Sequence, residues 1–149
     1  MATAARRSNT EEISNVIDVL ADALRKKNVE GVVSVYAPDN VMFVLAPPLQ
    51  YTKENAPGGE GVEAWFSTFD GPLGYELRDL KITSGNDIAF SHSLSHLTGK
   101  KTSGEPVDLW YRETLCFQRF GSEWKIAHQH ESVPFYMDGS GKAATDLKP

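Results

Sequence analysis

In the run Trp124-Lys125-Ile126-Ala127-His128-Gln129-His130, Trp124, Ile126, His128 and His130 recur at every second position. That is the period of a β-strand, not of a helix. Gly121-Ser122 stands immediately before the run and reads as a tight turn. Working back from that turn, three more stretches alternate in the same way, so strands are expected over about 75–83, 88–98, 107–120 and 123–134. Gly85-Asn86-Asp87 and the segment from Gly99 to Gly104 supply the other turns. Long consecutive strands joined by short links imply an antiparallel meander.

Upstream of residue 73 the period changes to 3.6. Ser8-Asn9-Thr10-Glu11 matches a capping box, with Ser8 as N-cap and Glu11 reaching back. Ile13, Val16, Ile17, Leu20 and Leu24 follow at helical spacing, and Arg25, Lys26 and Lys27 crowd the last turn, where the helix dipole favours cations. A short second helix is predicted over 29–36, broken by Pro38-Asp39-Asn40. The apolar run 41–45 reads as a strand ended by Pro47-Pro48, and the stretch to Gly61 as a long loop of the kind that forms lids, with Tyr51 and Lys53 on it. A helix over 62–69, carrying Trp65, Phe66 and Phe69, is expected to stop at Asp70-Gly71-Pro72. Helices first and sheet second give an α+β roll: a cone-shaped, curved antiparallel or mixed sheet with about three helices on its concave face. Such a cone encloses a cavity, the usual place for a ligand.

The length of 149 residues fits one domain over 1–149, with a loose tail at 1–7 and a C-terminal extension at 135–149. The net charge of -5 provides no basic footprint, so nucleic acid is not an expected partner. No apolar run reaches the ~18 residues of a membrane span, and the N-terminus does not read as a signal peptide. A single cysteine, Cys116, rules out an internal disulfide, which suits a reducing cytoplasm. Phe135 and Tyr136 of the extension are expected to close the cone mouth or to meet a partner subunit.

Strand parity sorts the candidates for chemistry. His92 and His96 share a face with Ile88, Phe90 and Leu94, opposite Ala89, Ser91, Ser93 and Ser95. Trp110, Arg112, Thr114 and Cys116 share a face, opposite Tyr111, Glu113 and Leu115. In the last strand the plain period puts Trp124, Ile126, His128 and His130 together, opposite Ala127, Gln129 and Glu131; one bulge would exchange the two sets. His128 and His130 are candidate acid–base groups, since imidazole titrates near neutrality, or else a polar pair in a sheet interface. They could also open a metal site, but a third ligand at a known spacing is missing, so no metal is expected. Arg112 sits mid-strand. If buried it needs an anion, either internal (Glu131, Asp108 or Glu113 of a second copy) or a ligand carboxylate. Trp110, His96 and Trp65 complete the candidate ligand-binding set.

Three pieces in order, Val35-Tyr36-Ala37-x-Asp39-x-Val41, Gly61-x-Glu63-Ala64-Trp65-Phe66 and Arg112-Glu113-Thr114…Trp124-Lys125-Ile126-x-His128-x-His130-x-Ser132, carry a resemblance. The chain resembles the nuclear transport factor two-like superfamily, in its SnoaL-like or ketosteroid-isomerase-like branch, from about Glu11 to Pro134. Its closing segment is also similar to the association domain of calcium/calmodulin-dependent protein kinase. The resemblance implies a homodimer packed through the outer sheet face, and a pocket tyrosine at Tyr36. By analogy it places pocket residues at the parity of Gln129 and Glu131. It also implies what is missing. Where the steroid isomerase keeps its base after the first strand, this chain reads Val44-Leu45-Ala46-Pro47, and the donor tyrosine's position on the opening helix falls near Leu20. Steroid isomerisation is therefore disfavoured. The expected function is cofactor-free isomerisation, cyclisation or dehydration of a small organic molecule, cyclic or a carboxylate. The alternative is a non-catalytic ligand-binding or oligomerisation module.

Overall fold

The computed structural model describes residues 7–56 and 58–149, so the tail expected at 1–7 lies, but for Arg7, outside the described residues. Among the described residues three helices precede or interrupt a five-stranded sheet: α1 (Asn9–Lys26), α2 (Val29–Ser34), β1 (Tyr36–Phe43), α3 (Gly58–Phe66), β2 (Phe69–Ser84), β3 (Ile88–Lys101), β4 (Pro106–Phe120) and β5 (Glu123–Ser132). The sheet order is β1-β5-β4-β3-β2. β2 to β5 form the expected antiparallel meander, and β1 joins parallel to β5, so the curved sheet is mixed. No described helix is long and apolar enough to cross a membrane.

α1 forms as its sequence dictates. Ser8 Oγ accepts from the Glu11 amide and the Glu11 carboxylate accepts from the Ser8 amide, so two otherwise orphaned donors are satisfied at once. Ile13, Ile17 and Leu20 lie on one face and are buried against the sheet, in a core with Phe66, Phe117, Trp124 and Ile126. The helix ends at Lys27 in the left-handed region (φ 55°), whose amide returns to the Leu24 carbonyl.

Two proline-rich breaks turn out to lie inside strands. α2 stops at Ser34, two residues earlier than expected, and β1 then runs straight through Pro38-Asp39-Asn40, ending at Phe43. A register shift against β5 between Tyr36 and Val41 absorbs these residues. Likewise α3 covers Gly58–Phe66 instead of 62–69, Phe69 opens β2, and Asp70-Gly71-Pro72 falls within a register shift between Asp70 and Gly74. Both β1 and β2 are sheet edges. A proline there removes no ladder hydrogen bond if its nitrogen faces away from the neighbour, which is why neither proline ends its strand.

The two faces of the sheet are set by size complementarity between strands. On β3 the small Ala89, Ser91 and Ser95 are buried opposite Phe117, Leu115 and Tyr111 of β4, beneath the helices. Ile88, Phe90 and His92 alternate outward and are exposed. β5 breaks its own period. Phe117 pairs with Ile126 but Cys116 pairs with His128, so Ala127 is an extra residue, a bulge. Trp124 and Ile126 face the core before it; after it Gln129 and Glu131 face inward, and His128 and His130 do not. The plain-period grouping of His128 and His130 with Trp124 and Ile126 is thus corrected by one bulged residue.

The C-terminal extension does not close the cone mouth. Phe135 pairs with Ala143 in an isolated bridge, and Ala144 is buried while Phe135 stays 64% exposed. Tyr136 donates from its hydroxyl to Asp146, and Lys148 lies 3.9 Å from Asp108. Phe135 and Tyr136 are absent from the described lining of the cavity.

Candidate functional site

Between the concave face and the three helices lies a cavity of about 480 Å³. Its walls are apolar, with Leu20 and Leu24 from α1, Val62 and Trp65 from α3, and Leu97 and Leu109 from β3 and β4. Tyr51 reaches the cavity from the loop after β1, held there by paired backbone hydrogen bonds with Met42 at 2.9 Å each. Lys101 adds one ammonium. Its Nζ lies 3.9 Å from the centre of the Phe69 ring and donates to Thr68 Oγ1 at 3.0 Å.

The polar groups gather on the sheet, where Tyr36, Tyr75, Tyr111, Glu113, Gln129 and Glu131 all line the cavity. They come from four strands, because the inward positions of β4 and β5 pair directly: Glu113 opposite Glu131 and Leu115 opposite Gln129. Glu113 is buried and accepts three hydrogen bonds. Ser95 Oγ donates to its Oε1 at 3.1 Å, the Tyr75 hydroxyl donates to the same oxygen, and Gln129 Nε2 donates to Oε2 at 3.1 Å. Tyr36 in turn donates to Gln129 Oε1 at 2.5 Å, which fixes the orientation of that amide.

Two carboxyl groups this close in a low-dielectric site do not both ionise freely. Burial pushes Glu131 up, the charge of Glu113 pushes it further, and hydrogen bonds from Tyr111 and Gln129 only partly oppose them, leaving it at about 8. Glu113 is also raised by burial, but its three donors pull the other way. A carboxyl group that only accepts is best satisfied as the anion. The three donors to Glu113 therefore favour keeping the pair's shared proton on Glu131. Burial and the neighbouring Glu113 hold Tyr36, Tyr75 and Tyr111 well above the ordinary phenol range, so all three remain donors.

The cavity brings together Tyr36, Trp65, Glu113 and Glu131 of the residues singled out from the sequence. The others stand on the opposite face. Arg112 is exposed and donates from Nε to Ser132 Oγ at 3.1 Å; being solvated, it needs none of the buried anionic partners expected for it. His96 stacks on Trp110 at 4.2 Å and bonds Asp108 Oδ1 at 2.6 Å. His128 Nδ1 donates to the Val41 carbonyl at 2.7 Å, and the Phe43 ring meets His128 and His130 edge-on at 4.8 and 5.3 Å. Cross-strand neighbours of Thr114, His92 and His130 are both exposed. Among the described residues no three metal-ligating side chains converge. Tyr75, Tyr111 and Ser95 are site residues that the sequence reading did not single out, while Gln129 lies where the resemblance placed pocket residues. The signal available was the pair Tyr111 and Glu113, two residues apart on the inward face of β4.

A comparison with protein families matches residues 13–136 to the SnoaL-like domain. None of the curated proteins matches the chain. Among solved structures, an NTF2-like protein of unknown function from Pseudomonas putida KT2440 is 29% identical with a TM-score of 0.81, over 97% of this chain and 100% of that one. A ketosteroid isomerase-like protein from Erwinia carotovora atroseptica SCRI1043 is 17% identical with a TM-score of 0.66, over 85% and 97%. A candidate dehydratase of the NTF2-like family from Streptomyces avermitilis is 14% identical with a TM-score of 0.73, over 86% and 98%. At such identities the last two speak for the fold alone. With the family match spanning most of the domain, from the second turn of α1 to beyond β5, the chain belongs to the SnoaL-like domain family, within the NTF2-like fold.

Proposed function

We propose that the cavity is the active site of a cofactor-free enzyme that moves a proton within a small cyclic substrate, with Glu131 as the proton carrier. The observation that carries this reading is the carboxyl pair on β4 and β5: Glu113 accepts three hydrogen bonds, and its neighbour Glu131 titrates at about 8. A group that titrates near the working pH both takes and returns a proton efficiently. In this scheme ionised Glu131 removes a proton from the carbon beside a carbonyl. The electron pair moves onto the carbonyl oxygen, which accepts a hydrogen bond from the Tyr111 phenol. The carboxyl group so formed returns the proton to another carbon of the same molecule, so nothing else is consumed. The apolar walls favour a ring system as substrate. This reading moves the acid–base role from His128 and His130, which lie outside the cavity, to Glu131.

The test does not require the natural substrate. Cyclohexanone and 2-tetralone are incubated with the protein in D₂O, and exchange of the protons beside the carbonyl is followed by NMR. Exchange above the buffer rate, rising with pH through about 8 as Glu131 ionises and lost in Glu131→Gln, is expected. Exchange no faster than in buffer, or unchanged in Glu131→Gln, defeats the proposal. The alternative of a non-catalytic binding module is supported by Ala46 and Pro47 standing where the resemblance would require an acid; it predicts binding without exchange.

The homodimer through the outer sheet face is part of the same proposal. Ile88 is 62% and Phe90 43% exposed on that face.

A further inference from the structure

We infer that the cavity takes a cyclic ligand bearing a protonated amine, with the ammonium seated against Glu113 and Glu131 and the ring held by the aromatic walls. This inference rests on the cavity being the site described above, and it narrows the class of molecule that enters.

The sequence had pointed towards a carboxylate ligand, because Arg112 was its expected anchor. The structure removes that anchor: Arg112 is exposed on the other face of the sheet. What faces the cavity instead is two carboxyl groups from adjacent strands. The one cation among the described lining residues is Lys101, and its ammonium already lies over the Phe69 ring and donates to Thr68. A ligand carboxylate reaching the polar end would meet the Glu113 anion in a site where like charges are poorly screened.

An ammonium meets the opposite situation. The carboxyl pair already holds one positive charge, the proton kept on Glu131. An organic ammonium can replace that proton, donating to the same oxygens and leaving both carboxylates ionised. The rings of Tyr36, Tyr75, Tyr111 and Trp65 line the same cavity, and aromatic faces attract cations. Ser95 and Gln129 already donate to Glu113 and need no rearrangement. The exchange also has a chemical consequence: the cation that binds leaves Glu131 ionised, which is the form that takes a proton from carbon.

Three indoles of similar size and different charge test this by calorimetric titration at pH 7: tryptamine (cation), tryptophol (neutral) and indole-3-acetate (anion). Tryptamine is expected to bind at least about tenfold more tightly than tryptophol, as a charge-assisted contact in a dry site should, with indole-3-acetate the weakest. Binding of tryptamine should release up to about one proton, read from the heats in buffers of different ionisation enthalpy. In Glu131→Gln the amine's advantage over tryptophol should shrink below about threefold, and in the charge-keeping Glu131→Asp it should persist. Thermal melts establish that each variant is folded, and Glu113→Gln serves as a second variant should Glu131→Gln not be. The inference is overturned if tryptophol or indole-3-acetate binds as tightly as tryptamine, if none of the three binds at millimolar concentration, or if the advantage survives both Gln variants. Preference for the neutral indole alongside Glu131-dependent ketone exchange would sink the cation and leave the proton carrier. A clear amine preference without exchange on any ketone would do the reverse.

Discussion

Glu113 and Glu131 share a cavity but not an environment, and the difference makes the fold sensitive to pH. The ordinary value of a glutamate is 4.5, and folded Glu131 stands at about 8. The folded chain therefore binds a proton that the unfolded chain releases. The stability tied to it is fully present below about pH 4.5 and is lost as the pH rises through about 8. Wild-type unfolding free energy should fall by on the order of 3 kcal/mol from about pH 5 to about pH 9, and Glu131→Gln should lose most of that slope. Urea titrations at several pH values read it directly, and equal slopes in the two proteins would refute the assignment. Tyr75 belongs to the same network from the other side. Tyr75→Phe takes one donor from the buried Glu113 and should cost about 1–3 kcal/mol, measured the same way at neutral pH. Little of this was legible beforehand. Tyr36, Trp65 and Glu131 stood out, but Glu113 is fixed by partners 18, 38 and 16 residues away in sequence. Such partners are chosen by strand register, not by any local pattern.

Among the elements, α1 and β2 mark the two limits of what local sequence decides. The Ser8–Glu11 capping box was readable because every group in it lies within four residues. Ser8→Ala should accordingly cost about 1 kcal/mol, without any change in cavity binding. Pro38 and Pro72 were read only as helix breaks, and not as strand residues, because being an edge strand is a property of the assembled sheet. Gly74, at the register shift of β2, is a similar case. A Cβ there would lie 2.0 Å from Thr98 Oγ1 across the strand pair. Gly74→Ala should destabilise by about 1–3 kcal/mol, and Thr98→Ala in the same chain should restore part of the loss. A double-mutant cycle from denaturant melts checks it, and simple additivity would mean that the clash is relieved elsewhere.

At the scale of the whole molecule the sheet separates two kinds of chemistry. Its concave side holds carboxyls and phenols; its outer side holds His92, His96, His128 and His130, together with the exposed Ile88 and Phe90. The α+β plan and the meander followed from period and punctuation alone. Which histidines would see the cavity did not follow, because one residue in β5 reverses the assignment. If the outer face pairs two copies, a charge placed in it should part them. Phe90→Glu should shift sedimentation from the mass of two chains towards one while leaving the unfolding slope with pH intact. A wild type that sediments as a single chain would remove the dimer from the proposal.

The extra residue at Ala127 also bears on how such a domain changes over time. It works like a shifted reading frame inside a strand: everything after it is read out on the other side of the sheet. A lineage that kept Ala127 but paired it in the ladder, flattening the bulge, would trade an amide and a carboxyl for two imidazoles in the cavity, whereas one that lost the residue would keep Gln129 and Glu131 inside. The gain or loss of a bulge at one strand position is thus a route to new reactivity that substitution counts would never reveal, and relatives are better aligned by the phase of this strand than by its residues.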